Sequence, residues 1–342
     1  MKHEIDLAKY EVRTDLISEV ITDNQNKQGY KRKVTKDGDI TIENIVIDEV
    51  GEQIIHKKKG NYETIYFDDI TDKTNYEHLL QVMIPLLKEF YKKENISDKA
   101  TCLIIGLGNK MATPDALGPL VSDKVIVTRH LFSLGISIDK AYRNVATMAP
   151  GVMGSTGIET KDIILGLIES VKPDFLIMID SLAASSIERI NKTIQLTDTG
   201  IHPGSGIGNN RLELSKETLG VPVLAIGVPT VVDAVTIVSN TIDYILRHVS
   251  YEKSNLNKHS FKFISPNLKN ASNHETNLTE QEKSEVLGMV GTLNPDEAKQ
   301  LIAEVLMPLG YNLIVTPKEI DFVIKKLSDL IAESLNKSLH AI

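Results

Sequence analysis

Three short apolar runs constrain the fold of this chain more than any other feature: TCLII (101–105), DFLIMI (174–179) and VPVLAI (221–226). Each is too short for a helix and is bounded by glycine, proline or aspartate, and helical periodicity fills the intervals between them. Strands that are apolar on both faces and alternate with helices form a parallel sheet covered on both sides. The sequence therefore predicts an α/β fold with a mostly parallel, twisted sheet flanked by helices. A small antiparallel β region is expected in addition at 40–67, where Ile40, Ile42, Ile45 and Ile47 alternate and Gly51 and Gly60 punctuate.

The helices can be placed by periodicity and by their end signals. Asn75 is positioned to cap a helix through Phe90, with Leu79, Met83, Leu86, Leu87 and Phe90 on one face; Pro85 inside it predicts a kink or a boundary. A second helix is expected from about Pro119 to Phe132, and a third opens at Thr160. Thr230, with Asp233 three residues on, reads as the cap of a helix to about Leu246. Residues 251–285 are polar and read as an exposed loop or linker. Helical periodicity returns over 286–342, where Asn294 followed by Pro295 is a cap-then-first-turn signal.

Charge and cysteine content narrow the function classes. A net charge of −8 over 342 residues argues against a nucleic-acid-binding surface, which needs a basic stripe. The lone cysteine, Cys102, excludes an internal disulfide framework and fits a reducing cytoplasm. It interrupts an apolar run, so it reads as a small buried hydrophobe rather than a nucleophile. MKHEIDLAKY at the N-terminus lacks the apolar core of a secretory signal. The most apolar stretch, 220–238, is broken by Pro222, Gly227, Pro229 and Asp233, and is better read as strand, turn and helix than as a membrane span. A soluble cytoplasmic protein with no membrane partner is expected.

In a parallel sheet, chemistry gathers beyond the carboxyl ends of the strands. Two aspartates stand at such places: Asp115, in the loop GLGNKMATPDALG (106–118) after the first run, and Asp180, directly after the second. Two carboxylates facing one cleft can hold a single proton between them, because ionising both would set like charges together. Such a pair can activate a water with one member and protonate a leaving amine with the other. A plainer reading is equally open on spacing alone: Asp115 could cap ALGPLVSDKV and Asp180 could cap SLAASSIER. A phosphate-binding reading is poorer, since the third position of G-x-G-x-x-G falls on Met111 and no G-x-x-x-x-G-K-[ST] is present at this loop.

Two other loops are rich in glycine. DTGIHPGSGIGNNR (198–211) carries His202 and Ser205, and its backbone freedom suits a loop near a site that contacts an extended peptide. A serine hydrolase built on Ser205 would need glycine at 203, which is proline, and the same test fails at Ser155, where 153 is Met. APGVMGSTGIET (149–160) reads either as tight packing before a helix or as a wall of the cleft. No histidine pair at metal-ligand spacing accompanies either loop, so no zinc is expected.

GLGN, TPDALGP, VTRHLF, APGVMGSTGIET, SIERINKTIQLTDTGIHPGSGIGN and VPTVVDAVTIVSNTIDYIL together resemble the germination (spore) protease family, and the similarity runs from LAKYEVRTDL to PLGYNLIVTPKEID. The resemblance implies a cytoplasmic endopeptidase of the spore that degrades small acid-soluble spore proteins during germination. It implies a zymogen that removes its own N-terminal propeptide and assembles as a homotetramer. The family is classed as an atypical aspartic peptidase, and its two catalytic aspartates match Asp115 and Asp180. Its fold is similar to that of hydrogenase maturation endopeptidases, which share the G-x-G-N turn and an acidic residue but use them around nickel. No obvious counterpart of their metal-binding histidine is found here, so neither metal nor other cofactor is expected. A metal-dependent maturation endopeptidase is the alternative reading.

Family substrates are cut after an acidic and before an apolar residue, in contexts such as Thr-Glu-Ile-Ala-Ser-Glu. Thr14-Asp15-Leu16-Ile17-Ser18-Glu19 imitates this closely, departing at Ile17, where a small residue is expected. The resemblance thus implies self-cleavage between Asp15 and Leu16, with 1–15 as propeptide and 16–342 as a single α/β peptidase domain. Without it, Thr14-Asp15 would read as the cap of a short helix.

Overall fold

A computed structural model describes residues 14–21, 28–201, 213–255, 277–306 and 313–341. These residues form two compact units: a larger one within Arg13–Val231 and Thr316–Ile342, and a smaller one within Val232–Val315.

The larger unit is an α/β layer structure around one sheet of order β1-β2-β3-β7-β8-β6-β4-β5. Its strands are β1 (Tyr30–Asp37), β2 (Ile40–Ile47), β3 (Gly60–Tyr66), β4 (Cys102–Gly106), β5 (Val145–Met148), β6 (Phe175–Ala184), β7 (Thr193–Thr197) and β8 (Val223–Asp233). β4 pairs parallel with both β5 and β6. The Leu176 N–H donates to Pro222 O, and Leu182 lies against Gly227 farther along, so β6 and β8 run the same way. These are the apolar runs of the sequence, and β4 is buried at every position because helices cover both faces.

The antiparallel region is larger than 40–67: β1, β2, β3, β7 and β8 pair antiparallel in succession. β1 was invisible to pattern reading because nearly all of it is exposed and polar, with no apolar face to alternate.

On one face, α1 (Ile17–Val20) and the segment around it pack Ile17 and Ile21 against Ile45, Ile47 and Tyr62. On the other, α3 (Lys73–Lys93; α2 is Glu49–Ile55) packs beside the C-terminal helix over Phe175, Ile177 and Ile179. The cap of α3 is Asp72, whose carboxylate accepts from Asn75 N; Asn75 lies one turn inside. Pro85 neither ends nor interrupts this helix. An internal proline costs about 3 kcal/mol, but Leu79, Leu80, Met83, Leu87 and Tyr91 are all buried, at roughly 1.5–3 kcal/mol for a large apolar side chain, so packing outweighs it.

The helix expected over 119–132 is two short ones, α4 (Leu117–Ser122) and α5 (Arg129–Ser133). Thr128 breaks it by bonding to β5: its N–H donates to Val145 O, its hydroxyl donates to Arg143 O and accepts from Val145 N. After α6 (Met153–Thr156), α7 (Thr160–Val171) covers the second face, with Ile164 against Leu103, Ile105, Leu176 and Met178. Cys102 is fully buried, and burial pushes its thiol well above the ordinary range.

Beyond α8 (Lys216–Leu219), two further boundaries differ from expectation. β6 does not stop before Asp180 but runs to Ala184, and β8 runs through Thr230 to Asp233. The helix α9 (Ala234–Asn255) is therefore capped by Asp233, which accepts from Val235 N and Thr236 N, rather than by Thr230. The smaller unit holds α9, α10 (Glu280–Leu287), α11 (Pro295–Leu306) and β9 (Ile314–Val315), which pairs with Val232 and Asp233. Val235, Ile302 and Ala303 form its core. Asn294 and Glu297 exchange backbone and side-chain bonds in a reciprocal cap, as the Asn294-Pro295 signal predicts. Of the polar stretch 251–285, α9 takes the beginning and α10 the end, and 256–276 lies outside the described residues. Helix α12 (Ile320–Leu339) returns to the larger unit. Among the described residues no helix is long and apolar enough to cross a membrane.

Candidate active site

Asp115 ends a single 3-10 turn, Thr113–Asp115, in the loop leaving β4. It does not cap α4: the N-cap there is Ala116, without a side-chain bond. The Asp115 carboxylate instead reaches back across its loop, Oδ2 accepting from Asn109 N at 2.8 Å. Gly108 makes this possible. Its φ of 110° is open to glycine, and a Cβ there would stand 2.1 Å from Asp115 O and 2.9 Å from Asp115 Oδ1.

Asp180 is only 6% exposed and lies inside β6 rather than after it. Its Oδ1 accepts from Ser181 N at 2.9 Å, and the turn that follows the strand is capped by Ser186, so the capping reading fails here too. The Asp115 loop closes onto the residue just before Asp180. Leu107 N donates to Ile179 O at 2.8 Å, and α4 approaches so closely that a Cβ on Gly118 would stand 2.6 Å from the same oxygen. A further tie holds the Asp115 turn from β8, where the Thr230 hydroxyl donates to Pro114 O at 2.7 Å. The two aspartates thus stand on elements locked together at the carboxyl end of β4. The loop 149–160 leaves the same end, since β5 is parallel to β4, and carries the half-exposed Met153 and Ile158; Met111 in the Asp115 loop is 91% exposed.

The segment Thr14–Glu19 is docked on the same strand. Asp15 N donates to Ala183 O at 3.2 Å, and Asp15 Oδ2 accepts from Ala183 N at 2.9 Å. Gln195, 6% exposed on β7, holds both sides of the Asp15–Leu16 bond: its Nε2 donates to Asp15 O and its Oε1 accepts from Ile17 N. Lys57 Nζ donates to Thr14 O at 3.0 Å. Burial lowers the Lys57 pKa, opposed by the charges of Asp15 and Glu19. Asp15, Lys57, Gln195, Thr197 and Leu182 line a cavity of about 80 Å³. Side chains alternate along a strand, so Leu182 and Asp180 share one face of β6, and the cavity lies next along that face from Asp180. Leu16 and Ile17 are wholly buried. Sequence reading missed Lys57 and Gln195; the available signal was a glutamine within the otherwise strand-forming run TIQLT, every position of which is buried.

His202 and Ser205 lie outside the described residues. Among the described residues no three His, Cys, Asp or Glu side chains come together as a metal site.

A profile of the germination protease family matches residues 8–342. The germination protease of Bacillus cereus (strain AH187) is 48% identical over 99% of this chain and 96% of its own length, and that of Bacillus mycoides (strain KBAB4) is 47% identical with the same coverage. Among solved structures, a [NiFe] hydrogenase maturation protease, HycI from Thermococcus kodakarensis KOD1, aligns over 42% of this chain and 80% of its own, at 22% identity and a TM-score of 0.28, a likeness on which nothing rests here. These matches span nearly the whole of both chains. The chain is a peptidase of the germination protease family.

Proposed function

We propose that this chain is an aspartic-type endopeptidase in which Asp115 and Asp180 share one proton and activate a water. The observation that carries the reading is the closure of the Asp115 loop onto Ile179, the residue before Asp180. Two carboxylates that face one cleft resist ionising together, so one can serve as the acid while the other serves as the base. The ionised member takes a proton from water as the water adds to the scissile carbonyl. The protonated member hydrogen-bonds that carbonyl and then delivers its proton to the leaving nitrogen. Backbone amides of Asn109 and Ser181 each fix one carboxylate oxygen, which supports a set orientation of the two groups. The exposed Met111 and Met153 at the mouth suit the apolar side chains of an extended substrate.

On this reading the substrates are small acid-soluble spore proteins, cut during germination inside the spore. The chain is a zymogen and homotetramer that removes residues 1–15 by cutting between Asp15 and Leu16. The docking of that segment on β6, the strand of Asp180, supports self-processing. The test is intact mass of the whole chain with time, for the wild type and for Asp115→Asn and Asp180→Asn. Each variant is expected to slow processing by about 10²–10⁴-fold with an unchanged thermal melt. Normal processing in both variants sinks the assignment. Processing that stops on exhaustive chelation and returns with added metal would instead favour a metal-dependent maturation-type peptidase.

A further inference from the structure

Leu16 is the N-cap of α1, and Glu19 is the third residue of that helix. This is the spacing of a capping box, in which the third-residue carboxylate takes the N-cap N–H. Here a hydroxyl stands between them. Thr14 Oγ1 accepts from Leu16 N at 3.0 Å and donates to Glu19 Oε2, which also accepts from Ser185 N at 2.8 Å. Glu19 Oε1 is buried and finds no hydrogen-bond partner among the described residues. The carboxylate therefore has unspent accepting capacity beside a backbone nitrogen, and it is tied to the strand that carries Asp180.

Hydrolysis of the Asp15–Leu16 bond changes what this carboxylate faces. Water adds across the bond: its hydroxyl goes to Asp15 as a new carboxylate, and its hydrogen to Leu16 N, whose amine is protonated at neutral pH. The departing fragment takes Thr14 and the hydroxyl bridge with it. Leu16 and Ile17 are wholly buried, Ile17 N stays on Gln195, and Ile17 and Ile21 pack against Ile45, Ile47 and Tyr62, so the new terminus has reason to remain where it is. A buried ammonium without a counter-charge is strongly unfavourable, the more so at the positive end of a helix. We infer that Glu19 receives the α-ammonium of Leu16 once the bond is cut, so that processing replaces a neutral bridge with an ion pair anchored through Ser185 to β6. Lys57 is the competing cation, since it loses Thr14 O in the same step. The α-ammonium has the advantage of being fixed by the backbone, whereas Lys57 must order a long side chain.

This inference rests on the Asp15–Leu16 cut of the proposed function, and the experiment separates the two. The full chain and its processed form are compared for the wild type and Glu19→Gln, which still accepts from Ser185. If the chain does not cut itself, residues 10–15 are replaced by the recognition sequence of a site-specific protease that leaves Leu16 as the N-terminus. Glu19→Gln is expected to lower Tm by roughly 4–8 °C more in the processed than in the uncut form. The Leu16 α-amine, read from the pH dependence of its acetylation, is expected to titrate above the value of about 7.7–8.0 usual for chain termini. Burial alone moves it the other way, so this second readout decides even if Glu19→Gln does not fold. An equal Tm penalty in both forms, or an amine pKa at or below the usual value, overturns the inference. Self-cutting at Asp15–Leu16 with either of those results leaves the processing reading intact. An engineered cut that gives the expected results in a chain unable to cut itself does the reverse.

Discussion

The parallel and antiparallel ends of the sheet are built on different rules. β4 and β6 carry helices on both faces, are buried almost throughout, and hold the loop and strand of the two aspartates. β1, at the opposite edge, exposes all but its first residue and is dressed with Lys31, Arg32, Lys33 and Lys36, with Arg32 bonded to Glu43 on β2. A strand covered on both sides must be apolar everywhere, whereas an edge must discourage pairing with another chain and is best charged. Asp115 and Asp180 are held at the first end, where close packing leaves little slack. The N-terminal segment spans both, bonding to Ala183 of β6 and packing Ile17 and Ile21 on β2 and β3.

This contrast can be broken by measurement. The largest effect is expected for Gly106→Val, because a Cβ there stands 2.2 Å from Gly118 O and 2.4 Å from Ser122 Oγ. A cost above about 4 kcal/mol should appear as loss of the cooperative melt. Retention of a near-normal Tm would show that the parallel end can yield after all. Phe175→Ala, deleting a wholly buried ring beneath Tyr91 and Arg143, should cost about 3–5 kcal/mol in denaturant unfolding.

Smaller is the effect of acid on the same end. His340, 2% exposed at the close of α12, accepts from Arg143 N on Nδ1, and its Nε2 faces Ile126 O, an arrangement that requires the neutral ring. Burial lowers its pKa below the ordinary histidine value. The unfolded chain then binds this proton more readily, so its contribution is complete above about pH 6.5 and is lost as pH falls through the folded value. Melts between about pH 7 and 5 should show a slope that His340→Gln reduces; an unchanged slope would assign the acid sensitivity elsewhere. The smallest effect belongs to the antiparallel edge. Val34→Ala, at a residue 48% exposed, should fall within about 0.5 kcal/mol, and a larger cost would mean that another chain covers β1.

The same contrast explains what could be read from the sequence. The apolar runs of β4, β6 and β8 and the positions of Asp115 and Asp180 were legible, because covering both faces leaves an unbroken hydrophobic signal. Their ends were not, because tertiary partners extend them. β6 continues past Asp180 to residues that meet the docked Asp15 and Glu19. Thr230 is used to hold the Asp115 turn rather than to start a helix. Thr128, just before α5, keeps one long helix from forming by bonding to a strand residue 17 positions on, and Pro85 is tolerated because of what its helix buries. The roles of Gln195 and Lys57 depend on a segment distant in sequence, and no local pattern reports such contacts.

Cys102 has a practical consequence. It is the only cysteine of the chain, fully buried, with a thiol that burial keeps protonated. Maleimides and mild oxidants should leave the native protein unmodified, so a cysteine introduced at an exposed position becomes the sole reactive handle. A dye placed in that way could test in real time whether the N-terminal segment departs, as proposed, without first removing any native residue.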